Sequence, residues 1–469
     1  MEIVKTDLCI IGAGSGGLSL AAGAAQMGAR VVLIEGAAMG GDCLNHGCVP
    51  SKTLLAAAKA AQAARLGAAG VTGAEPQIDF AAVKARVAAT IARIAPMDSQ
   101  QRFEGFGVQV IRAYGRFTAP DAIEAGGKLI KARRFVIATG SQPLIPAVPG
   151  LETIAYLTNE TLFAQTERPA HLLILGAGPI ALEMAQAHRR LGCNVTVIAR
   201  SRALGRDDPE AAAVVVEALR AEGVVFSEGH EVMRFRTVPE GVEAVLADGA
   251  TLIGSHLLVA AGRVPAIARL DLAAAAVAFT EKGVTVGPNL RTSNRRIYAV
   301  GDVTGGMQFT HVAGAHAGVV IRQVLLGLPA KQANVVPWVT YTDPELAQVG
   351  LTEAQARKLY PAVQVIRQDF QHNDRAVTEA KAKGFLKLML VKGRPVGVTI
   401  VGPQAGELIG QWALALSSGL KIGAVAGMIA PYPTLGEISK RAAGAYYTPK
   451  LFDNLGLKRF VRFVQRMVP

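Results

Sequence analysis

At 469 residues the chain exceeds a single hydrophobic core and predicts roughly two to four domains, while 51 glycines, few aromatics and moderate charge exclude disorder and suit α/β nucleotide-binding folds. Four cysteines without framework spacing exclude a disulfide-stapled secreted scaffold and agree with a reducing compartment. A formal charge of +13 favours anionic partners, dinucleotides foremost and acidic membrane surfaces next; nucleic acid is not expected.

The N-terminus leads straight into a strand, with no charged-then-apolar signal region and no uncharged apolar run of about eighteen residues, so the cytoplasm is the expected location. The first unit opens at Asp7-Leu-Cys-Ile-Ile-Gly12-Ala-Gly14-Ser-Gly-Gly17, a short apolar run breaking into glycines and an Ala-rich helix. A second strand, Arg30 to Glu35, ends on an acid. Strand, glycines, helix, strand and acid together form a dinucleotide fingerprint: glycines admit a pyrophosphate to the helix N-terminus, and Glu35 accepts from free ribose hydroxyls, which suits FAD. Cys9, inside the first strand, reads as core filling.

Next comes Gly40-Gly-Asp-Cys43-Leu-Asn-His46-Gly-Cys48-Val-Pro-Ser-Lys52. Two cysteines five residues apart suggest a redox centre. In a regular helix they would point in different directions, so a disulfide needs a distorted turn, for which Gly47 and Pro50 supply the irregularity. A thiol at a helix start has its pKa lowered by the helix dipole; Asp42 is suited to be the N-cap, although its charge works against that lowering. Helical stretches follow at Thr53 to Gly67 and Phe80 to Phe106, then a β region at Val108 to Phe117, a strand at Arg134-Phe-Val-Ile-Ala-Thr139-Gly140, and a Pro-rich linker at Pro143 to Pro149.

A second dinucleotide fold begins at His171-Leu-Leu-Ile-Leu-Gly176-Ala-Gly178-Pro-Ile-Ala-Leu-Glu183 and continues through the strand Asn194 to Arg200, with Cys193 structural at its start. From Gly12 the strand-end acid Glu35 is 23 residues on; the same step from Gly176 reaches Ala199, followed by Arg200 and Arg206. Arginines at that point can grip a ribose 2′-phosphate, so the second site suits NADPH, with NADH as the alternative. Strands from about Val224 to Val259 lead to Ala260-Ala-Gly262-Arg263-Val-Pro265. Further on come Ile297-Tyr-Ala-Val-Gly301-Asp302, a helix carrying His311 and His316, a change of character from Pro337, and Pro431-Tyr432-Pro433-Thr434-Leu-Gly-Glu437.

Taken together and in this order, the motifs resemble the flavoprotein pyridine nucleotide-disulfide oxidoreductases: glutathione reductase, dihydrolipoamide dehydrogenase and mercuric reductase. The resemblance implies two Rossmann-like domains followed by an α+β dimerisation domain. The expected boundaries are 1–148 for FAD, 149–268 for NAD(P)H, 269–336 completing the FAD site and 337–469 for dimerisation. It implies that Gly115, Thr139, Gly140 and Asp302 help bind FAD and that Gly262 belongs to the return from the second domain. Lys52 lies near the flavin and pairs with Glu183, and Cys48 is the sulfur nearer the flavin, with Cys43 meeting the acceptor. A homodimer is implied, because in this family the C-terminal domain of one subunit completes the active site of the other.

One departure bears on the acceptor. The glutathione and lipoamide enzymes use a histidine–glutamate dyad where this chain has Tyr432 and Glu437. Tyrosine, with an ordinary pKa near 10, shuttles protons poorly at neutral pH. Mercuric reductases also have a tyrosine there, since a soft metal ion needs thiolates more than a proton donor. They also carry a C-terminal cysteine pair, whereas no cysteine follows Cys193 here. The acceptor is read as a thiol-reactive metal ion or a disulfide, small or protein-borne, with direct reduction of a quinone at the flavin as the alternative; His46 is a candidate base. Residues 440–469 carry a net charge of +6, with Phe460, Phe463, Val464 and Met467 at helical spacing. Such a helix can lie on anionic lipid, can dock a partner, or can pack on its own dimer.

Overall fold

The computed structural model describes residues 1–68 and 70–468 and divides into two compact units, one of Met1–Ser201 with Gly223–Ala333, the other of Arg202–Glu222 with Asn334–Pro469. In the first unit the strands Gln109–Ile111, Val31–Ile34, Glu2–Ile11 and Lys128–Ile137 run parallel and in that order. The long strand Lys128–Ile137 serves two neighbours: its first half pairs with the hairpin strand Ala122–Ala125, and its end pairs in parallel with Ile297–Ala299. Leu8 to Ile11 are buried at every position, as a central parallel strand requires. Cys9 is fully buried there, its thiol driven well above its ordinary range by burial.

The second parallel sheet, Val225–Glu228, Asn194–Ala199, His171–Leu175 and His256–Val259, repeats the arrangement of the first. The Gly12 amide donates to Ile34 and the Ala138 amide to Ile11; in the repeat, Gly176 donates to Ile198 and Ala260 to Leu175, all four at 2.8 Å. The Pro-rich linker is not wholly irregular: Ser141–Pro143 pairs antiparallel with Arg263–Pro265. The stretch Phe80 to Phe106, read from sequence as one helix, is divided. Helix Phe80–Ile94 ends in a 3₁₀ turn at Ala95–Asp98, where Pro96 has no amide to continue the ladder, and Ser99 caps a new helix, Gln100–Gly105, by accepting from the Arg102 amide.

The other unit centres on a five-stranded antiparallel sheet, in order Pro337–Thr340, Glu345–Gly350, Arg394–Gly402, Phe385–Val391, Gln364–Asp369. Helix Ala405–Ser417 packs on it through the fully buried Trp412, whose Nε1 donates to Ser439 Oγ at 3.0 Å. Helix Pro209–Ala221, although it lies in sequence between strands of the second dinucleotide fold, belongs to this unit. Its N-cap Asp208 accepts from the amides of Glu210 and Ala211 and from the buried Lys387 Nζ at 3.0 Å, and neighbouring Asp207 accepts from Trp338 Nε1 at 2.8 Å. The sequence-drawn segment 149–268 is thus shared between the two compact units. Among the described residues no helix is long and apolar enough to cross a membrane.

Candidate functional site

The Cys43–Cys48 segment folds as two helices rather than one. Cys43 lies in the short helix Gly41–Asn45, the chain breaks at His46 and Gly47, and Cys48 is the first residue of the helix Cys48–Leu66. Gly40 is the N-cap of the short helix and Gly47 that of the long one, while Asp42 lies inside the first turn of the short helix, which corrects the sequence reading of Asp42 as an N-cap. The Asp42 carboxylate is turned elsewhere, accepting from Asn159 Nδ2 at 2.9 Å and pairing with Arg263 at 3.3 Å. Both cysteines are free thiols, and the break brings their side chains into hydrogen-bonding contact. Pro50, in the first turn of the long helix, is where a missing amide costs nothing.

The two sulfurs ionise very differently. Cys48 is lowered to a pKa of about 6, first by the hydrogen bond from Cys43 and further by Thr310 and Lys52, against the opposing effect of burial. The Cys43 thiol is pushed far up because it serves as the donor, with burial adding to the shift. Thr310 Oγ1 lies 3.4 Å from Cys48 Sγ and opens the helix Thr310–Val324, so the Cys48 sulfur is close to two helix N-termini. One turn beyond Cys48, Lys52 Nζ meets Glu183 Oε2 at 2.8 Å; Glu183 is 5% exposed, on the helix Pro179–Arg190 that follows the second glycine turn. The salt bridge therefore ties the cysteine helix to the second dinucleotide fold.

The glycine turns fit dinucleotides. A Cβ on Gly12 would lie 2.3 Å from the Ala138 oxygen, and one on Gly176 2.3 Å from the Ala260 oxygen, both at positive φ, so each strand-to-helix turn demands glycine. A Cβ on Gly17 would press against the Gly12 oxygen, whereas one on Gly14 or Gly178 would meet nothing closer than 3.9 Å, which leaves each helix N-terminus open to a ligand phosphate. The Glu35 carboxylate is held at its strand end by the amides of Ala13 and Ala37, both at 2.6 Å. Ala199 takes the equivalent strand-end position, and the neighbouring Arg200 is 81% exposed, with Glu231 at 4.0 Å. Arg206 is exposed and lies in the other compact unit.

Thr139 Oγ1 donates to the Ala266 oxygen at 2.8 Å, and the Gly140 oxygen accepts from the Ala266 amide, closing the first fold onto the return that contains Gly262. Gly115 abuts Ile123 and Ile34. Asp302 accepts from Ser141 Oγ at 2.6 Å, and its carboxyl is raised above the usual range by burial. The adjoining Gly301 amide donates to Nδ1 of the buried His316, while His311 stacks on Phe309.

Arg263 Nε donates to Ser141 Oγ at 2.7 Å, so a chain of contacts runs from Asp302 through Ser141 and Arg263 to Asp42, beside Cys43. No motif in the sequence carries Ser141, Asn159 or Thr310, and Arg263, although part of the Ala260–Pro265 motif, has no local signal of its contacts.

In the C-terminal unit Tyr432 is exposed, and its hydroxyl donates to Asp374 Oδ2 at 3.0 Å, a bond that raises the phenol pKa. Arg441 lies 3.6 Å from the same carboxylate. Glu437 begins the helix Glu437–Ala445, and its Oε2 is buried without a hydrogen-bond partner among the described residues. The half-buried His46 caps the C-terminal end of the short cysteine helix. Among the described residues no group of three or more His, Cys, Asp or Glu could hold a metal ion.

Comparison with known proteins agrees with this architecture. Residues 6–317 match the pyridine nucleotide-disulphide oxidoreductase family, and residues 336–443 match that family's dimerisation domain. The chain is 35% identical over 454 residues to a mercuric reductase of Streptomyces lividans, covering 94% of this chain and 96% of that one. It is also 35% identical over 452 residues to a dihydrolipoyl dehydrogenase of Thermus scotoductus, covering 94% and 97%. Among solved structures, the Cu(II) complex of the HOCl-induced flavoprotein disulfide reductase RclA from Escherichia coli is similar with a TM-score of 0.85 and 28% identity, over 93% of this chain and 99% of that one. With two matched glycine turns, a dithiol between them and a dimerisation domain behind them, the chain belongs to the pyridine nucleotide-disulphide oxidoreductases, enzymes that use FAD and NAD(P)H.

Proposed function

We propose that this enzyme draws electrons from NADPH and delivers them through the Cys43–Cys48 pair to a thiophilic divalent metal ion. The observation that carries the reading is the dithiol itself, one sulfur a thiolate near neutral pH and the other its hydrogen-bond donor. Bound FAD supplies the two-electron relay between nicotinamide and sulfur. Lys52, fixed by Glu183, keeps a positive charge near Cys48. Glu35 and the Gly12–Gly17 turn hold the FAD ribose and pyrophosphate, and Asp302 serves its ribityl chain. Gly176 and Gly178 seat the nicotinamide dinucleotide, and Arg200, just past the strand end, grips its 2′-phosphate.

In the proposed turnover NADPH and a proton reduce the Cys43–Cys48 disulfide to two thiols and leave NADP⁺. The metal ion displaces two protons to bind both sulfurs; a second NADPH and a proton then reduce it by two electrons, breaking both metal–sulfur bonds and leaving the zero-valent metal, two thiols and NADP⁺. A metal acceptor is favoured over a disulfide because Tyr432, which in a family dimer would face the partner's cysteines, keeps its proton for Asp374. The Streptomyces relative is a mercuric reductase and the Escherichia coli relative is known as a Cu(II) complex, in keeping with this choice.

Anaerobic addition of NADPH to the oxidised holoenzyme should raise the titratable thiols by two, with a thiolate-to-flavin band that vanishes in Cys48→Ser. Metal-dependent NADPH oxidation should require both cysteines and exceed turnover of lipoamide or glutathione disulfide. Flavin bleaching without new thiols, and a rate untouched by Cys43→Ser, would overturn the relay in favour of direct quinone reduction.

A further inference from the structure

The helix Leu455–Met467 is capped by Asn454, whose Oδ1 accepts from the Leu457 amide at 3.0 Å, and it has no buried residue. At about 100° per residue, Leu457, Phe460, Phe463, Val464 and Met467 fall on one face, while Lys458, Arg459, Arg462 and Arg466 fall within an arc of roughly 100° on the other. The helix contains no acid. Phe460, Phe463 and Met467 are 59–69% exposed. A lone helix of 13 residues is marginal in water, so a second phase must support this one.

We infer that this helix docks the enzyme on an anionic lipid surface, lying in the interface plane with its apolar face in the acyl boundary and its cations among the headgroups. Charge complementarity selects this occupant. A second copy of the chain carries +13 itself and offers the four cations no excess of acid, and the family's dimerisation domain ends at residue 443, before the helix begins. Nucleic acid would satisfy the cations but leave two phenylalanines in water. An anionic bilayer satisfies both faces.

The test is flotation of the full-length holoenzyme with vesicles of phosphatidylcholine alone or containing phosphatidylglycerol, at low and high salt. Binding is expected only to the anionic vesicles and should weaken with salt. Each cation near the surface contributes roughly fivefold to partitioning, so reversing Lys458, Arg459, Arg462 and Arg466 to Glu should abolish flotation, as should Phe460→Ser with Phe463→Ser. NADPH oxidation and dimer mass should be unchanged in both variants and in a chain ending at Tyr447. Equal flotation of wild type and charge-reversed protein overturns the inference. So does loss of the dimer on truncation, which would make the helix a subunit contact, or binding to an acidic protein or nucleic acid with none to anionic vesicles.

Discussion

Replacing Cys43 with alanine should return Cys48 much of the way to ordinary thiol acidity. The hydrogen bond from Cys43 is the leading cause of the Cys48 pKa of about 6; Thr310 and Lys52 add to it and burial opposes it. A thiol of that pKa is roughly nine-tenths thiolate at pH 7, against a few per cent for an ordinary cysteine. A hydrogen bond to a charged group contributes about 1.5–3 kcal/mol, equivalent to roughly one to two pH units. The midpoint in Cys43→Ala should therefore rise to about 7–8, with Thr310 and Lys52 retaining the remainder, and Cys43→Ser, which keeps a donor, should move less. Because the shift is downward, the wild-type thiolate is present above the midpoint and is lost as pH falls through about 6. The assay is the ultraviolet thiolate absorbance of the reduced protein against pH, referenced to Cys48→Ser. A Cys43→Ala midpoint equal to that of wild type would show that Cys43 is not the donor.

Gly176→Ala forces a carbon against the Ala260 oxygen and should lower the melting temperature. Gly178→Ala meets nothing within 4 Å and should keep the melting temperature while weakening NADPH binding in a cofactor titration. Arg200→Ala should cut kcat/KM for NADPH by about 10- to 100-fold, as expected for lost charge-assisted hydrogen bonds, and leave NADH little changed; equal losses for both cofactors would remove this arginine from specificity. Lys387→Met removes the partner of the buried Asp208 and of Glu353, at 3.0 and 2.8 Å, and should cost about 3–5 kcal/mol in denaturant unfolding. Glu353 has its pKa lowered chiefly by Lys387, so its contribution is present above the ordinary carboxylate range and is lost as pH falls through the lowered value; the acid limb of stability should flatten in Lys387→Met. Asp42→Asn should deepen the Cys48 shift slightly, since the Asp42 charge opposes the thiolate; a raised midpoint would mean that the carboxylate acts by positioning.

Local chemistry made much of this legible in the sequence. The two dinucleotide turns could be read because a glycine at positive φ against a carbonyl leaves no alternative residue, and the cysteine break because Gly47 falls where the helix is interrupted; Pro50, expected to add to the irregularity, is instead accommodated in the first turn of the long helix. What stayed hidden depends on contacts between distant segments. Thr310 reaches Cys48 across 262 positions of sequence, and Lys387 reaches Asp208 across 179, drawing the helix Pro209–Ala221 into the C-terminal unit. No period or spacing encodes either contact. Pro96 marks the end of its helix, a breaker visible in the sequence that the single helical stretch expected over Phe80 to Phe106 overran.

The position of Asp42 runs against the chemistry of the site, because an acid next to a cysteine pair opposes the thiolate that the pair depends on. Neighbouring residues offset that opposition. Arg263 at 3.3 Å and Asn159 at 2.9 Å engage the carboxylate, and Arg263 reaches onward to Ser141, whose hydroxyl in turn donates to Asp302. The acid thus joins the short cysteine helix to the strand returning from the second dinucleotide fold and to the carboxylate expected at the FAD ribityl chain. Lys52 and Glu183 form the corresponding tie on the long cysteine helix. One clamp thus lies on each side of the Gly47 break, holding the short cysteine helix to the returning strand and the long one to the helix Pro179–Arg190. Such rigidity is what an electron path over short distances requires, and the modest electrostatic opposition at Asp42 is outweighed by the Cys43 hydrogen bond, Thr310 and Lys52.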